Sequence, residues 1–268
     1  MFLAHRVDIT QALAKDDKHI LEINFDSAML RAQKLRSQGP EHNWASFNGD
    51  PARMAVRKAQ YHWGWDWGPV LMTAGIWRDV RVEVYSARVA DLWAEVRIAG
   101  DYQEATIAAL AEVDAAVAGS YKARFTLSLH GQEVVSDETS VSENAAKVTF
   151  NVKKPSLWWP HGYGGPSLYG LSVSLTDGQN ELHQVSKKIG IRSAEVIQQP
   201  DKHGKSFFFR INGVDIFCGG SCWIPADSLL PRITPERYRK WVELMVGGRQ
   251  VMTRFVSHVA PEDVPNKS

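Results

Sequence analysis

Apolar and polar residues alternate with a period of two over much of the chain. Leu21, Ile23 and Phe25 alternate with Glu22 and Asn24, and Val80, Val82 and Val84 alternate with Arg81 and Glu83. That period is expected of half-buried strands. Between them, Ala28 to Lys34 predicts one or two helical turns, ended at Gln38-Gly39-Pro40. From Ala87 to Arg192 the alternation is denser. Leu92, Ala94, Val96 and Ile98 face one way while Trp93, Glu95 and Arg97 face the other. Phe125, Leu127 and Leu129 repeat the pattern, as do Val148, Phe150 and Val152, and then Leu171, Val173 and Leu175. Turn signals at His130-Gly131, Lys154-Pro155 and Asp177-Gly178 separate these runs. Several short alternating strands spaced this way predict an immunoglobulin-like β-sandwich.

After about residue 195 the pattern changes. Phe207 to Ile211 and Val214 to Phe217 flank Asn212-Gly213, the strongest short-range hairpin signal. A helix is then predicted. Thr234 is a suitable N-cap, Pro235 takes the first helical position and Glu236 lies in the first turn. Tyr238, Trp241, Val242 and Met245 form one apolar stripe at helical spacing, and Gly247-Gly248 ends it. A strand, a Trp-Ile-Pro-Ala-Asp loop and this helix read as the first β/α unit of a larger α/β structure. No internal repeat or low-complexity linker is visible.

Composition narrows the function classes. The 268 residues are 44% hydrophobic and 23% charged, ordinary for a globular chain that buries a core. A net charge of +1, with no basic block, gives no polyelectrolyte argument for nucleic acid or an anionic membrane. No apolar run reaches the roughly 18–20 residues of a spanning helix. The opening Met1-Phe2-Leu3-Ala4-His5-Arg6 turns polar too soon for a signal peptide. The only Asn-x-Ser/Thr sequon is Asn266-Lys267-Ser268, in the tail. Cys218 and Cys222 are the only cysteines and read as reduced, mostly buried thiols, since nothing nearby completes a metal site. These features predict a cytoplasmic chain with no metal and no cofactor; the oligomeric state is open.

Three motifs carry candidate chemistry. Tyr61-His62-Trp63-Gly64-Trp65-Asp66-Trp67-Gly68-Pro69 sets three of the chain's ten tryptophans around one carboxylate. It reads either as an aromatic knot in a sandwich core, with Asp66 capping a turn, or as a sugar platform. In the second reading Trp65 and Trp67 stack on C–H faces and Asp66 accepts from hydroxyls. A carboxylate among rings is costly to bury unless donors reach it, and a sugar diol or backbone N–H groups supply them. Leu157-Trp158-Trp159-Pro160-His161-Gly162-Tyr163-Gly164 reads as a loop packed against a neighbouring domain. Cys218 to Asp227 would lie at the C-terminal end of a first barrel strand, where barrel enzymes place their active sites. There Trp223 and Asp227 are candidates, with Asp227 either a helix-start cap or an active-site group.

Taken in order, the block Arg57 to Pro69, Leu157 to Gly164, Ile189-Gly190-Ile191-Arg192, Trp223-Ile224-Pro225-Ala226-Asp227-Ser228 and Arg232 to Tyr238 resemble the β-mannosidases of glycoside hydrolase family 2. The likeness runs from the start to about Arg254. It is closest to the fungal intracellular branch, which also has Ser-Cys before Trp-Ile-Pro. The resemblance implies a mainly β chain: part of a jelly-roll sugar-binding domain (1–86), an immunoglobulin-like sandwich (87–194), then the first β/α unit of a TIM barrel (195–254). It also implies retaining exo-hydrolysis of terminal β-D-mannose from oligosaccharides, with one glutamate as acid/base and another as nucleophile about 5–5.5 Å apart. It places Trp65, Asp66 and Trp67 in substrate binding, with a β-mannoside oligosaccharide as partner.

The chain also departs from the family pattern. No glutamate here matches either member of the catalytic pair, so no catalytic residue is assigned. A TIM barrel takes about 250 residues, and residues 195–254 are a small part of one. The chain is therefore expected to be a fragment truncated at both ends, inactive by itself. Residues 255–268 read as an aberrant tail: Val256-Ser257-His258 is encodable by GTG-AGT-CAY, which contains a common splice-donor sequence, so an unspliced intron is the expectation. A non-catalytic carbohydrate-binding β-sandwich protein is the alternative. Another family 2 activity, such as a β-galactosidase or exo-glucosaminidase, fits the Trp-Asp-Trp block less well.

Overall fold

In the computed structural model, the residues described are 5–14, 18–39 and 49–255. The chain is mainly β, with several antiparallel sheets and one late helix. Two compact units are present. One combines the described residues up to Val80 with Ser221–Leu244 and the described end of the chain from Thr253; the other holds Arg81–Gly220 and Met245–Met252.

The first unit begins with a short helical turn, α1 (Thr10–Leu13), and then α2 (Ala28–Gln38). The predicted helix is thus present and runs a turn longer than the pattern indicated. Ser27 caps it through Leu30 N, and Gly39 closes it with a hydrogen bond to Leu35 O. Asp50 starts the 3₁₀ turn Pro51–Ala55 by accepting from Ala52 N at 2.8 Å, and also accepts from Gln33 of α2 at 3.0 Å. Ala32, Ala52 and Trp63 form a small buried core, with Met29, Val56 and Met72 beside it. Trp63 opens β1 (Trp63–Trp65), which pairs with β2 (Gly68–Val70) as a two-stranded antiparallel sheet.

The two alternating segments at either end of this region are not strands. Leu21, Ile23 and Phe25 are exposed, as are Val80, Val82 and Val84. Alternation predicts which face a strand would bury, but a strand forms only against a neighbour, and neither segment has a ladder partner among the described residues. The second segment is held differently. Glu83 accepts from Arg88 Nη1 at 2.8 Å and Tyr85 donates to Asp114 at 2.7 Å.

The second unit contains a β-sandwich. One sheet has the order β3-β4-β7, from β3 (Ala87–Ile98), β4 (Glu104–Ala115) and β7 (Ala145–Lys153). The other has the order β6-β5-β8-β9, from β5 (Lys122–Leu129), β6 (Gln132–Ser140), β8 (Tyr169–Thr176) and β9 (Glu181–Ile189). The inward sets are those the alternation picked out: Phe125 and Leu127, Val148, Phe150 and Val152, and Leu171, Val173 and Leu175 are all buried in one core. Each such large side chain contributes about 1.5–3 kcal/mol relative to exposure. Strand β4 was not picked out in the sequence. Its core face is Ala105, Ile107, Ala109, Ala111 and Val113, and its alanines carry a weak hydrophobic signal and favour helix in isolation. Its central place in the sheet overrides that preference. The His130-Gly131 turn joins β5 to β6 with φ of 52° and 79°, the left-handed pair of a type I′ hairpin.

Beyond the sandwich come β10 (Ala194–Ile197), β11 (Pro200–Asp201), β12 (Gly204–Lys205), β13 (Phe208–Ile211) and β14 (Val214–Ile216). Strands β10, β13 and β14 form one sheet, and Asn212-Gly213 makes its predicted turn, with φ of 49° and 78°. Asn212 has a second task. Its Oδ1 accepts from Ser193 N at 2.9 Å and its Nδ2 donates to Trp158 O at 3.0 Å. The Trp158-Trp159 loop is thereby tied to the hairpin, and Arg192 lies 4.3 Å from the Trp158 ring centroid. Last, β15 (Gly220–Trp223) pairs with β16 (Met252–Phe255), and α3 (Pro235–Gly247) lies between them in sequence. Thr234 caps α3 as expected, accepting from Arg237 N at 3.3 Å. Of its predicted stripe, Tyr238, Trp241 and Met245 are half-buried and Val242 is exposed. Both cysteines are free, but Cys222 is exposed, correcting the expectation of two mostly buried thiols: its strand pairs on one side only. Among the described residues no helix is long and apolar enough to cross a membrane.

Candidate sugar-facing site

The Trp-Asp-Trp block folds as the β1–β2 hairpin, with Trp65 paired to Gly68 and Asp66-Trp67 as the two-residue turn. Neither Asp66 nor Trp67 takes a left-handed φ; the left-handed residue is Gly64, at +85° inside β1. Tight hairpins usually place that conformation in the loop. Here it bends the strand instead. A Cβ on Gly64 would come within 2.7 Å of Val70 Cγ2 on the paired strand, so the position requires glycine.

The hairpin has two sides. Trp63, 1% exposed, anchors it in the small core. Trp65 and Asp66 are exposed and Trp67 is half-buried. Ring surface and a carboxylate therefore sit together at the hairpin tip, and Trp63 is the buried member of the cluster.

Three basic groups of the same unit are wholly or partly buried. Arg53 is 6% exposed, and its guanidinium stands 5.3 Å from the Trp65 ring centroid. Its Nε and Nη1 have no hydrogen-bond partner, and neither has Trp63 Nε1. Lys58 donates to Thr73 O, and burial pulls its ammonium below the usual lysine range. His62 Nε2 donates to Ser228 O at 3.0 Å. Burial first, and then the Lys58 charge, hold the His62 imidazole below its ordinary value, against the opposing hydrogen bond to Ser228. That bond also joins the base of the hairpin to the Trp-Ile-Pro-Ala-Asp-Ser loop within the same unit.

Trp223 and Asp227 belong to that loop. Trp223 stacks on Tyr238 at 6.1 Å and meets Trp241 edge-on at 5.6 Å, with Phe255 at 6.3 Å. Asp227 accepts from Leu229 N at 2.8 Å and lies 3.6 Å from Arg232, with its side chain 19% exposed. It caps the local turn before Leu230–Arg232, while α3 has its own cap in Thr234. Among the described residues no three His, Cys, Asp or Glu side chains gather as a metal site would need. Arg53 and Lys58 were not singled out in the sequence, because a lone cation near a turn reads as a solvated charge; only burial distinguishes them.

Residues 1–78 match the family model described as glycosyl hydrolase 2 galactose-binding domain-like, and residues 87–192 match that of glycosyl hydrolases family 2. The chain belongs to glycoside hydrolase family 2. Within this family, it is 72% identical over 255 residues to β-mannosidase B of Neosartorya fischeri, covering 95% of this chain and 30% of the relative. It is 71% identical to that of Aspergillus fumigatus over the same span and coverage. The chain thus spans about 30% of the length of the curated relatives it matches. Among solved structures, β-D-mannosidase from Dictyoglomus thermophilum superposes with a TM-score of 0.70 at 36% identity, over 79% of this chain and 27% of that one. A Parabacteroides merdae β-glucuronidase, at 12% identity and a TM-score of 0.57 over 67% of this chain and 22% of the other, shares the fold alone.

Proposed function

We propose that this chain is part of a retaining exo-β-mannosidase, and that its hairpin tip contacts the terminal mannose of a β-mannoside oligosaccharide. In this reading residues 1–86 belong to a jelly-roll domain, 87–194 form an immunoglobulin-like sandwich and 195–254 begin a TIM barrel. The observation that carries the reading is the presentation of exposed Trp65 and Asp66, beside half-buried Trp67, by a hairpin anchored through buried Trp63, in a chain so similar to fungal β-mannosidase B. Ring faces stack on the apolar face of the sugar, and Asp66 accepts hydrogen bonds from its hydroxyls. Trp223 and Asp227 are proposed to shape the adjoining loop rather than to react. Because no glutamate in this sequence matches the family's acid/base or nucleophile, the chain by itself is expected to bind the sugar without cleaving it.

The test is a titration of the purified chain with methyl β-D-mannopyranoside, followed by calorimetry and by tryptophan fluorescence. Binding that is lost in Asp66→Ala and in Trp65→Ala is the expected result. Equal affinity in wild type and Asp66→Ala refutes the site. Turnover of 4-nitrophenyl β-D-mannopyranoside at ordinary enzyme rates refutes the expectation of binding without cleavage.

A further inference from the structure

Arg53 and Arg88 are the buried arginines among the described residues, at 6% and 7% exposure, and they are held in opposite ways. Arg88 is a structural rivet. Its Nη1 meets Glu83 at 2.8 Å, and its Nε and Nη2 meet Asp114 at 3.2 and 2.9 Å. Among the described residues no carboxylate is shown against Arg53. Its Nε and Nη1 are buried and unpaired. The nearest carboxylate in sequence, Asp50, is already committed to Ala52 N, Gln33 and Arg36. A buried cation without an anion is costly, and such a group persists where something else offsets the cost. What Arg53 has instead is the face of Trp65, 5.3 Å away. Among the described residues the ring quadrupole is the counter-charge shown for it. Arg53 is buried and Trp65 is 37% exposed, so the ring is covered by the guanidinium on one face while part of its surface stays open to solvent.

We propose that Arg53 is a positioning residue of the sugar-facing hairpin, which fixes the Trp65 ring from one face and so sets the plane on which the sugar stacks. The proposal rests on the reading of the hairpin as a mannose platform. A ring held on one face loses little orientational freedom when a ligand stacks on the other, which is how preorganisation raises affinity.

The test compares wild type, Arg53→Met and Arg53→Lys, each prepared with and without Trp65→Phe so that the Trp65 emission is obtained by difference. Arg53→Met should shift that emission and increase its acrylamide quenching. It should also weaken methyl β-D-mannopyranoside binding about tenfold, the effect expected when a desolvated cation–π contact ordering a stacking ring is removed. Arg53→Lys keeps a cation beneath the ring and should restore most of both. A merely structural role would lower the melting temperature of both variants alike and leave the Trp65 difference spectrum as in wild type; that result overturns the proposal. If Arg53→Met does not fold, Arg53→Lys decides: wild-type emission and affinity support a cation under the ring, and loss of both refutes it. If the wild-type chain does not bind the mannoside, the sugar reading fails on its own account. The emission measurements need no sugar and still decide whether Arg53 holds Trp65.

Discussion

Asn212 offers the sharpest test of the physical argument, because one side chain performs three separable tasks. It occupies a left-handed turn position at φ 49°, accepts from Ser193 N at 2.9 Å and donates to Trp158 O at 3.0 Å, all at 6% exposure. In Asn212→Gly the conformation is retained and both hydrogen bonds are lost. Each such loss leaves a partner group partly desolvated at a cost of about 1–1.5 kcal/mol, the low end of the usual range because both hydrogen bonds are only part-buried. Asn212→Gly should therefore cost about 2–3 kcal/mol. Asn212→Ala adds the steric penalty of a left-handed non-glycine residue, about 1–2 kcal/mol, for a total near 3–5 kcal/mol. The assay is native-state hydrogen exchange, since two units make a single global unfolding energy ill-defined. The amides of Ser193 and Asn212 report the site, and Phe209, in the same hairpin, serves as a reference. Equal exchange free energies for the glycine and alanine variants would refute the conformational argument. Unchanged protection of the Ser193 amide in either variant would refute the bridging one.

Three further outcomes are expected. Phe125→Ala removes a fully buried ring from the sandwich core and should cost about 3–5 kcal/mol. It should lower the urea midpoint of the sandwich transition while leaving the Trp63 environment unchanged; a shift under about 1 kcal/mol would contradict that packing. Gly64→Ala should destabilise the hairpin by about 1–3 kcal/mol through its left-handed φ and the clash with Val70, and Val70→Ala in the same chain should relieve only the clash. The folded-state pKa of His62 lies below its unfolded value of about 6.5, so between the two values the unfolded chain binds more protons and stability rises with pH. The His62 contribution is thus present above about 6.5 and lost as pH falls toward the folded value. Histidine NMR titration locates that window, and a flat stability profile across it, or the same slope in His62→Gln, would rule the linkage out.

The sequence by itself determined the β character of residues 87–192, the inward sets of four sandwich strands, the Asn-Gly hairpin and the Thr234-capped helix. These follow from local rules, since alternation, turn chemistry and capping are written over a few neighbouring residues. The family could be read for the same reason: its blocks are contiguous. Strand β4 escaped notice because alanine carries almost no hydrophobic contrast, and its identity as a strand comes from neighbours on both sides. The segments at Leu21–Phe25 and Val80–Val84 show the converse, with a clear pattern and no partner to complete a ladder. The candidate site divides along the same line. Trp65, Asp66 and Trp67 were visible as a cluster, but which tryptophan is anchor and which is surface was not, because burial is set by residues far away in sequence. Asp227 read either as a helix-start cap or as an active-site group, and its partners, Leu229 N and Arg232, became visible only in the fold. Arg53 was invisible until its burial beneath Trp65 appeared. Local order is encoded in local sequence, whereas the environment of a charge depends on everything that folds around it, and only the tertiary structure decides that.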